Sequence, residues 1–570
     1  YWEQRVANIE IIDRVGRGGS TITFNYTTQD RLNPAEFRTF FRGINTVAEY
    51  NNNQIATLVS TNPSATPGET DYNYTATVSG TPGLRIEFEL SQFLQAPRHG
   101  RNNYYGTALL YVVGQGIVPW GEGQDLGYNG GVVGNVNQSL DSYPLPTTAW
   151  LGGKTTLPYQ YSNEPEHRFK QTAGNISPTN GLPFMLGRRL HHTDFGNGNH
   201  SESGNPVFAE QVGKLGSKFV NRSCVACHVN NGRALPPAVG VPMLQSVVKV
   251  GSDAAGSPDP TLGTVLQMQS TSGPVEGTAT IASYSTTPFL YGDDTVYSLR
   301  KPNYAFQGIT PAYFSVRIAP QLVGLGLLEA VSESTISGLA DPSDANLDGI
   351  SGRVQTVTDP ETGQARLGRI GYKAVMARVS QQVARALNSD MGVTTGVFPD
   401  LDGETTSGAP ELSALDLDRM TRYVALLGVG ARRDLSNAQA LQGEQLFASA
   451  QCTTCHTPTL TTSANHPMAE LRGQTMHPYT DLLLHDMGPG LADNMGEGVA
   501  DGSEWRTAPL WNIGLTAGVS GGEAYLHDGR ARNLEEAILW HGGEGEAAKE
   551  AFRTMSATER AALVKFLKSL

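Results

Sequence analysis

Cysteine is scarce: the 570-residue chain has four, Cys224, Cys227, Cys452 and Cys455. All four fall in two short motifs, so none is left for a disulfide framework. Long apolar runs are also missing. No stretch approaches the roughly 20 consecutive apolar residues that a bilayer-spanning helix needs, so no transmembrane segment is expected. Charge is sparse too, with 41 Lys and Arg against 54 Asp and Glu and a net charge of −13. That mild acidic excess argues against nucleic acid or an anionic membrane as partner. The chain starts at Tyr1 rather than Met, which reads as a trimmed chain without its export signal.

The cysteines that are present sit in Cys224-Val-Ala-Cys227-His228 and Cys452-Thr-Thr-Cys455-His456. Two thiols three positions apart can each form a thioether to one porphyrin edge while the adjacent imidazole takes the iron, and C-x-x-C-H is the attachment signature of c-type haem. A redox dithiol or a zinc cluster would use the same cysteines. Neither alternative explains a histidine directly after both pairs, and neither motif sits in a βαβ context. Two covalently bound c-type haems are therefore expected, with His228 and His456 as iron ligands. Haem of this type is normally assembled outside the cytoplasm, so the expected location is periplasmic or secreted.

The length allows about three to four domains, and composition shifts mark three. Residues 1–160 are rich in Thr, Asn, Gly and Tyr, and the alternation in Thr21–Tyr26 and Leu84–Leu90 predicts half-buried strands. Residues 161–434 hold the first haem motif among many Gly and Pro turns. Residues 435–570 read as a compact helical domain. There Ser436 is the expected cap of a helix carrying Gly443, Leu446 and Phe447, with the glycine admitting a second helix. Ser556-Ala-Thr-Glu559 forms a capping box ahead of an apolar stripe, Leu563, Phe566, Leu567 and Leu570. The expected fold is multidomain: a β-rich N-terminal domain, then two mainly α-helical cytochrome c-like haem domains with long loops.

Several segments carry a family resemblance. Glu504–Thr516, Tyr525-Leu-His-Asp-Gly-Arg530 and Asn533–Ile538 are similar to the C-terminal haem domain of bacterial di-haem cytochrome c peroxidases. Over roughly residues 180–570 the chain resembles the related di-haem c-type oxidoreductase family, through Ser223–His228, Gly324–Ala330, Asp344–Arg353 and Tyr479–Gly488. In that superfamily the second axial ligand of the C-terminal haem lies fourteen residues beyond the His of the His-Asp-Gly motif. It is Met in the peroxidases and Tyr in the enzyme that matures methylamine dehydrogenase. Fourteen residues beyond His527 stands His541, so the resemblance implies a bis-histidine haem 2, His456/His541. His485 is the runner-up, with Met487 behind it, and His527 is expected to hold the loop and propionates beside the haem.

The resemblance also implies that haem 1, on His228, is the reaction site. Glu329, with Glu333 one turn on, is the expected proton-transfer group, and Tyr313 stands roughly where the peroxidases place an aromatic bridge between haems. His191, His192 or His200 could close haem 1 as a sixth ligand; Met243 and Lys373 are weaker candidates. Asp344, Asn346, Asp348 and Gly349 have the spacing of a calcium loop, although position twelve is Gln355 rather than Glu. An Asx-rich turn without metal is the alternative there. The expected partner is a redox protein or a small electron donor or acceptor. Asn102–Gly106 and Pro119-Trp120 of the N-terminal domain would suit contact with carbohydrate. Three functions fit this reading: a peroxidase-like oxidoreductase, a non-catalytic electron-transfer protein, and a di-haem oxygenase acting on a polymer.

Overall fold

In the computed structural model, residues 8–28, 30–41, 51–64, 68–89, 91–93, 95, 103–105, 109–122, 142–157, 165–402, 406 and 408–570 are described. Two antiparallel sheets form the N-terminal region. One contains β1 (Asn8–Asp13), β2 (Thr21–Thr28), β5 (Thr57–Pro63) and β6 (Thr70–Ser79), in the order β1-β2-β6-β5. The other contains β3 (Glu36–Phe41), β4 (Asn51–Ile55), β7 (Arg85–Glu89), β8 (Leu109–Val112) and β9 (Gly116–Val118), in the order β9-β8-β7-β3-β4. Alternation along β2 buries Ile22, Phe24 and Tyr26 and leaves the intervening polar residues nearer solvent. Phe24 meets Phe37 and Phe88 of the opposite sheet at ring separations of 4.8 and 5.0 Å, which locks the sheets face to face.

Trp120 is buried against Leu110 and Val112. Its ring is core, not a platform for a sugar, because the apolar face is already covered by these aliphatic neighbours. Asn102 and Gly106 lie outside the described residues.

The rest of the chain is organised around two helix crossings. α1 (Pro178–His191) packs on α3 (Ala414–Ala425), and between them in sequence lies α2 (Val379–Met391). α4 (Ala438–Ser449) packs on the terminal helix α7 (Ala557–Ser569), which follows α5 (Leu534–Leu539) and α6 (Glu546–Thr554). Each crossing turns on one glycine. A Cβ on Gly187 would lie 1.9 Å from the Arg419 carbonyl oxygen, and a Cβ on Gly443 would lie 1.9 Å from that of Ala562. Only a residue without a side chain lets the backbones approach this closely.

Capping follows the sequence with one correction. The capping box of Ser556 and Glu559 is present, but α4 is capped by Asn437, whose side chain accepts from Gln439 N and Ala440 N, and not by Ser436. Asn is as good an N-cap as Ser and stands one residue closer to the first turn. Leu563, Phe566, Leu567 and Leu570 are all buried, as their spacing predicts. Fully burying a side chain of this size stabilises by about 1.5–3 kcal/mol, so the stripe anchors the C-terminus.

One hydrophobic core runs from Leu151 to Leu570 and includes residues of both crossings, among them Phe184, Tyr423, Phe447 and Phe566. A long hairpin, Thr278–Leu290 and Val296–Gln307, packs at its base on Met243, Val248 and Val316 and reaches the second crossing at its tip. At its tip Arg560 donates to Asp293 at 2.9 Å, and along its edge Arg532 donates to the Ser298 carbonyl at 3.1 Å.

Candidate functional site

Both Cys-x-x-Cys-His segments line one continuous cavity of about 760 Å3. In the first, a single helical turn, Cys224–Cys227, places the thiols, and His228 follows at its end. In the second, a 3-10 turn over Cys452–Thr454 does the same for His456. The four cysteines are free thiols. Burial pushes Cys224, Cys227 and Cys452 up to about 12. Thiols so far from ionising are unsuited to dithiol exchange, which needs a thiolate.

The imidazoles are oriented for a metal. His228 donates its Nδ1–H to the Pro320 carbonyl at 2.8 Å, and His456 donates its own to the Tyr479 carbonyl at 2.9 Å. His541, one residue past the cap of α5, donates Nδ1–H to Ala537 O at 2.8 Å and also lines the cavity. A carbonyl only accepts, so Nδ1 carries the proton in all three rings and Nε2 keeps its lone pair. Burial holds His228 and His456 down to about 4 and lowers His541 as well, so all three are neutral. His541 lies close enough to His456 to oppose its protonation. This donor set fits two haems: two thiol pairs, two adjoining imidazoles, and a third imidazole near the second.

His485 cannot compete as a ligand. Its Nδ1 lies 2.6 Å from Glu544 Oε2 and its Nε2 lies 2.9 Å from Asp481 Oδ2. Burial opposes charge on this ring, but its contacts with Asp481, Cys455 and Glu544 outweigh burial and raise it far above its ordinary value. It is an imidazolium held 3.7 Å from the Cys455 sulfur. Glu544 also accepts from Ser351 N and Oγ at 3.0 and 2.9 Å, which ties the turn after His541 to the loop at 341–353.

Charged side chains line the cavity as well. Lys249, Arg317, Arg385, Asp390 and Glu497 all face it. Lys249 and Arg317 both pair with Glu497. Burial raises Asp390 to about 6, against the opposing pull of Ser389, Arg385 and Lys249. His527 also lines the cavity, stacked on Trp505 with centroids 4.0 Å apart and planes at 6°.

Other expected positions fall elsewhere. Glu329 does not line the cavity: its carboxylate accepts from Val379 N at 2.5 Å, at the start of α2, and contacts His466 Nε2 at 3.2 Å. A carboxylate is favoured there by the helix dipole. Tyr313 begins the strand that pairs with Ser246–Gly251 and is not at the cavity either; the aromatics that line it are Tyr372, Phe398, Phe447, Trp505 and Tyr525. Glu333 pairs with Arg366. Met243 is buried in a separate cluster, and Lys373 donates to the carbonyls of Asp501 and Glu504. His192 and His200 sit behind the cavity wall; of that group only His191 lines it.

In the 344–349 loop the side-chain oxygens accept from the loop's own backbone. Asp344 accepts from Gly349 N at 3.2 Å, Asn346 from Asp348 N at 3.0 Å and Asp348 from Ile350 N at 2.9 Å. Gln355 turns inward to the Lys373 and Glu497 carbonyls. This is the geometry of consecutive Asx turns. Asp390, Glu497 and Trp505 were not singled out from sequence; Trp505 lies inside a family-like segment, whereas nothing local marks the two acids.

Among the described residues no helix is long and apolar enough to cross a membrane. No curated protein matches the chain. No solved structure matches it either. A family model described as "Di-haem oxidoreductase, putative peroxidase" matches residues 265–570, a span that contains the second Cys-x-x-Cys-His motif, His527 and His541 and begins after the first motif. That span is more than half of the chain, and with the two-motif cavity before it the conclusion is direct: the chain belongs to the di-haem oxidoreductase family, whose name implies two haems and a peroxidase-like activity.

Proposed function

We propose that the protein is a periplasmic or secreted peroxidase-like oxidoreductase with two covalent c-type haems. Haem 1 would be held by Cys224, Cys227 and His228, and haem 2 by Cys452, Cys455, His456 and His541. When bound, the haems supply one-electron iron chemistry and, at an iron with one open position, the reduction of peroxide. The observation that carries this reading is the single cavity receiving both motifs and three histidines with Nδ1 anchored on backbone carbonyls.

The chain's own residues divide the labour. His456 and His541 offer two nitrogens to one iron, which saturates it and suits it to electron transfer with a redox partner. Around haem 1 the charged wall of Lys249, Arg317, Arg385, Asp390 and Glu497 offers what peroxide cleavage needs: a group to move a proton, and cations to stabilise charge on the leaving oxygen. Asp390 is the better proton carrier, because its raised value brings it near the working pH. Arg317 is the better electrostatic partner, since a guanidinium stays charged when buried.

One feature favours the non-catalytic electron-transfer reading: Nε2 of His191 is buried without a hydrogen-bond partner and the residue lines the cavity. Helix register argues against ligation by this ring. His191 stands four residues after Gly187, as Phe447 stands four after Gly443, and Phe447 lies 6.1 Å from the ring of His456. By that correspondence His191 would pack beside His228, as Phe447 packs beside His456, and would not hold the iron.

The test is to purify the holoprotein, count covalent haems by intact mass and measure peroxide consumption with a reduced electron donor. Two haems with turnover that falls in Asp390→Asn support the proposal. Two haems with no turnover favour electron transfer alone, and one haem or none removes the basis of both.

A further inference from the structure

We infer that Tyr423 and His192 form a proton-coupled redox pair beside haem 1, in which one-electron oxidation of Tyr423 passes its phenolic proton to Nε2 of His192. The inference rests on the peroxidase-like reading above and adds a redox site made of protein side chains.

The two helix crossings differ where they should match. In each, the crossing glycine faces a carbonyl, and four residues later on either helix stand two rings in contact. In the second crossing these are Phe447 and Phe566, with centroids 5.4 Å apart at 57°. In the first they are His191 and Tyr423, 5.2 Å apart at 53°. Two phenylalanines satisfy the packing fully. A phenol and an imidazole in the same buried positions need polar partners that two phenylalanines do not, so packing alone does not explain them.

The hydrogen bonds around Tyr423 direct its proton. Its hydroxyl is 2.6 Å from Asn231 Nδ2 and 3.3 Å from His192 Nε2. The same Asn231 nitrogen donates to the Phe169 carbonyl at 2.9 Å, which fixes it as the amide NH2. Asn231 therefore donates to the phenol oxygen, and the phenol's own hydrogen is left for His192. On His192 the other nitrogen, Nδ1, faces Ser201 Oγ at 3.1 Å and Glu202 at 3.8 Å, so Nδ1 carries hydrogen and Nε2 the lone pair. Burial, reinforced by Arg188, keeps this ring neutral at rest.

The pair lies between the cavity and the surface. Met420 and Val424, on either side of Tyr423 in α3, line the cavity, as does His191, whose ring lies 5.2 Å from that of Tyr423. Outward, His200 stacks on His192 at 5.3 Å and 12°, and Glu202, a quarter exposed, is held by Lys170 and Arg188.

The step balances as follows. Reduction of hydrogen peroxide to two waters takes up two electrons and two protons, the protons coming from solvent. One electron would come from the electron donor and the other from Tyr423, whose O–H bond breaks as an N–H bond forms on His192. Tyr423 becomes a neutral phenoxyl radical and His192 an imidazolium. An oxidised phenol is a far stronger acid than a phenol, so even an imidazole weakened by burial accepts its proton. A second electron from the donor reverses both transfers, so that each peroxide takes two donor electrons in all.

Freeze-quench EPR and ENDOR of the holoprotein test this, in H2O and D2O, with ring-deuterated tyrosine and with Tyr423→Phe and His192→Gln. The oxidant is hydrogen peroxide in one arm and photo-oxidised tris(bipyridine)ruthenium with persulfate in the other. The expected result is a tyrosyl signal with two exchangeable hydrogen-bonded protons, one from Asn231 and one from His192, absent in Tyr423→Phe and lost in His192→Gln, whose amide accepts a hydrogen bond but not a proton. Peroxide consumption with no tyrosyl signal, or a signal that survives in Tyr423→Phe, overturns the inference and leaves the proposed function standing. Failure to consume peroxide overturns the proposed function, and the photo-oxidation arm then decides the inference alone. Should Tyr423→Phe fail to fold, the second exchangeable-proton coupling in the native protein decides it, and a single coupling, which Asn231 alone supplies, overturns it.

Discussion

His456 and His541 share an arrangement: each gives its Nδ1–H to a backbone carbonyl, Tyr479 at 2.9 Å and Ala537 at 2.8 Å, and each lines the same cavity. Such bonds fix the ring plane and the tautomer before any metal arrives. On this account His541→Met retains covalent haem 2 and raises its midpoint potential, because thioether ligation favours the reduced iron. His541→Ala opens the iron and turns its low-spin spectrum high-spin. Redox titration and optical spectra of the two variants check both outcomes.

Glu544 braces the turn that carries His541, through His485 on one side and Ser351 on the other. Glu544→Gln leaves His485 buried beside a neutral group and is expected to cost about 1–3 kcal/mol in unfolding stability. The sign of its pH dependence follows from His485. A histidine raised on folding contributes stability that is complete below its ordinary value near 6.5 and lost as pH rises through the raised value. The variant should therefore fall furthest behind the native protein in mildly acidic solution just below the histidine's ordinary value of 6.5, with the gap narrowing as pH rises toward the alkaline side. Thermal unfolding of both holoproteins across that range measures it.

Glu202 sets a limit on the acid side. Burial would raise this carboxyl, but Arg188 and Lys170 overcome that and hold it down to about 2, against an ordinary value of 4.5. Its contribution is present above 4.5 and is lost as pH falls toward 2. A shift of this size corresponds to a contribution on the order of 3 kcal/mol. Glu202→Gln should lose that stability at neutral pH and show a flatter acid limb in urea unfolding between pH 5 and 2.

The glycines of the two crossings are expected to be irreplaceable. Gly187→Ala and Gly443→Ala each force a methyl against a backbone carbonyl, and overpacking of this kind costs about 1–3 kcal/mol or more. Each variant should loosen its own crossing, lowering the melting temperature and the yield of haem at the neighbouring motif, as read by calorimetry and by mass.

Much of the site is legible along the chain because its chemistry is local. Cys224, Cys227 and His228 are adjacent in sequence, as are Cys452, Cys455 and His456, so the attachment motifs need no knowledge of the fold. The capping box at Ser556 and the glycine at 443 are equally local. Other features depend on where a side chain points after folding. Glu329 stands in a family-like segment, yet its carboxylate caps α2, and no spacing rule tells which side of a short helix meets a cavity. Asp390 and Glu497 are far apart in sequence and isolated from any motif, and only folding brings them to one wall. α1 is masked in sequence by Gly181, Pro183 and Gly187, which interrupt the helical period although the helix runs through them.

The central claim is that one iron is saturated by His456 and His541 while the iron on His228 keeps an open side. EPR of the purified holoprotein, fully oxidised and half-reduced, tests it most directly. The account predicts a low-spin bis-histidine signal together with a high-spin ferric signal in at least one of the two states. Two low-spin signals in both states would contradict it, and would mean that a second side chain closes haem 1.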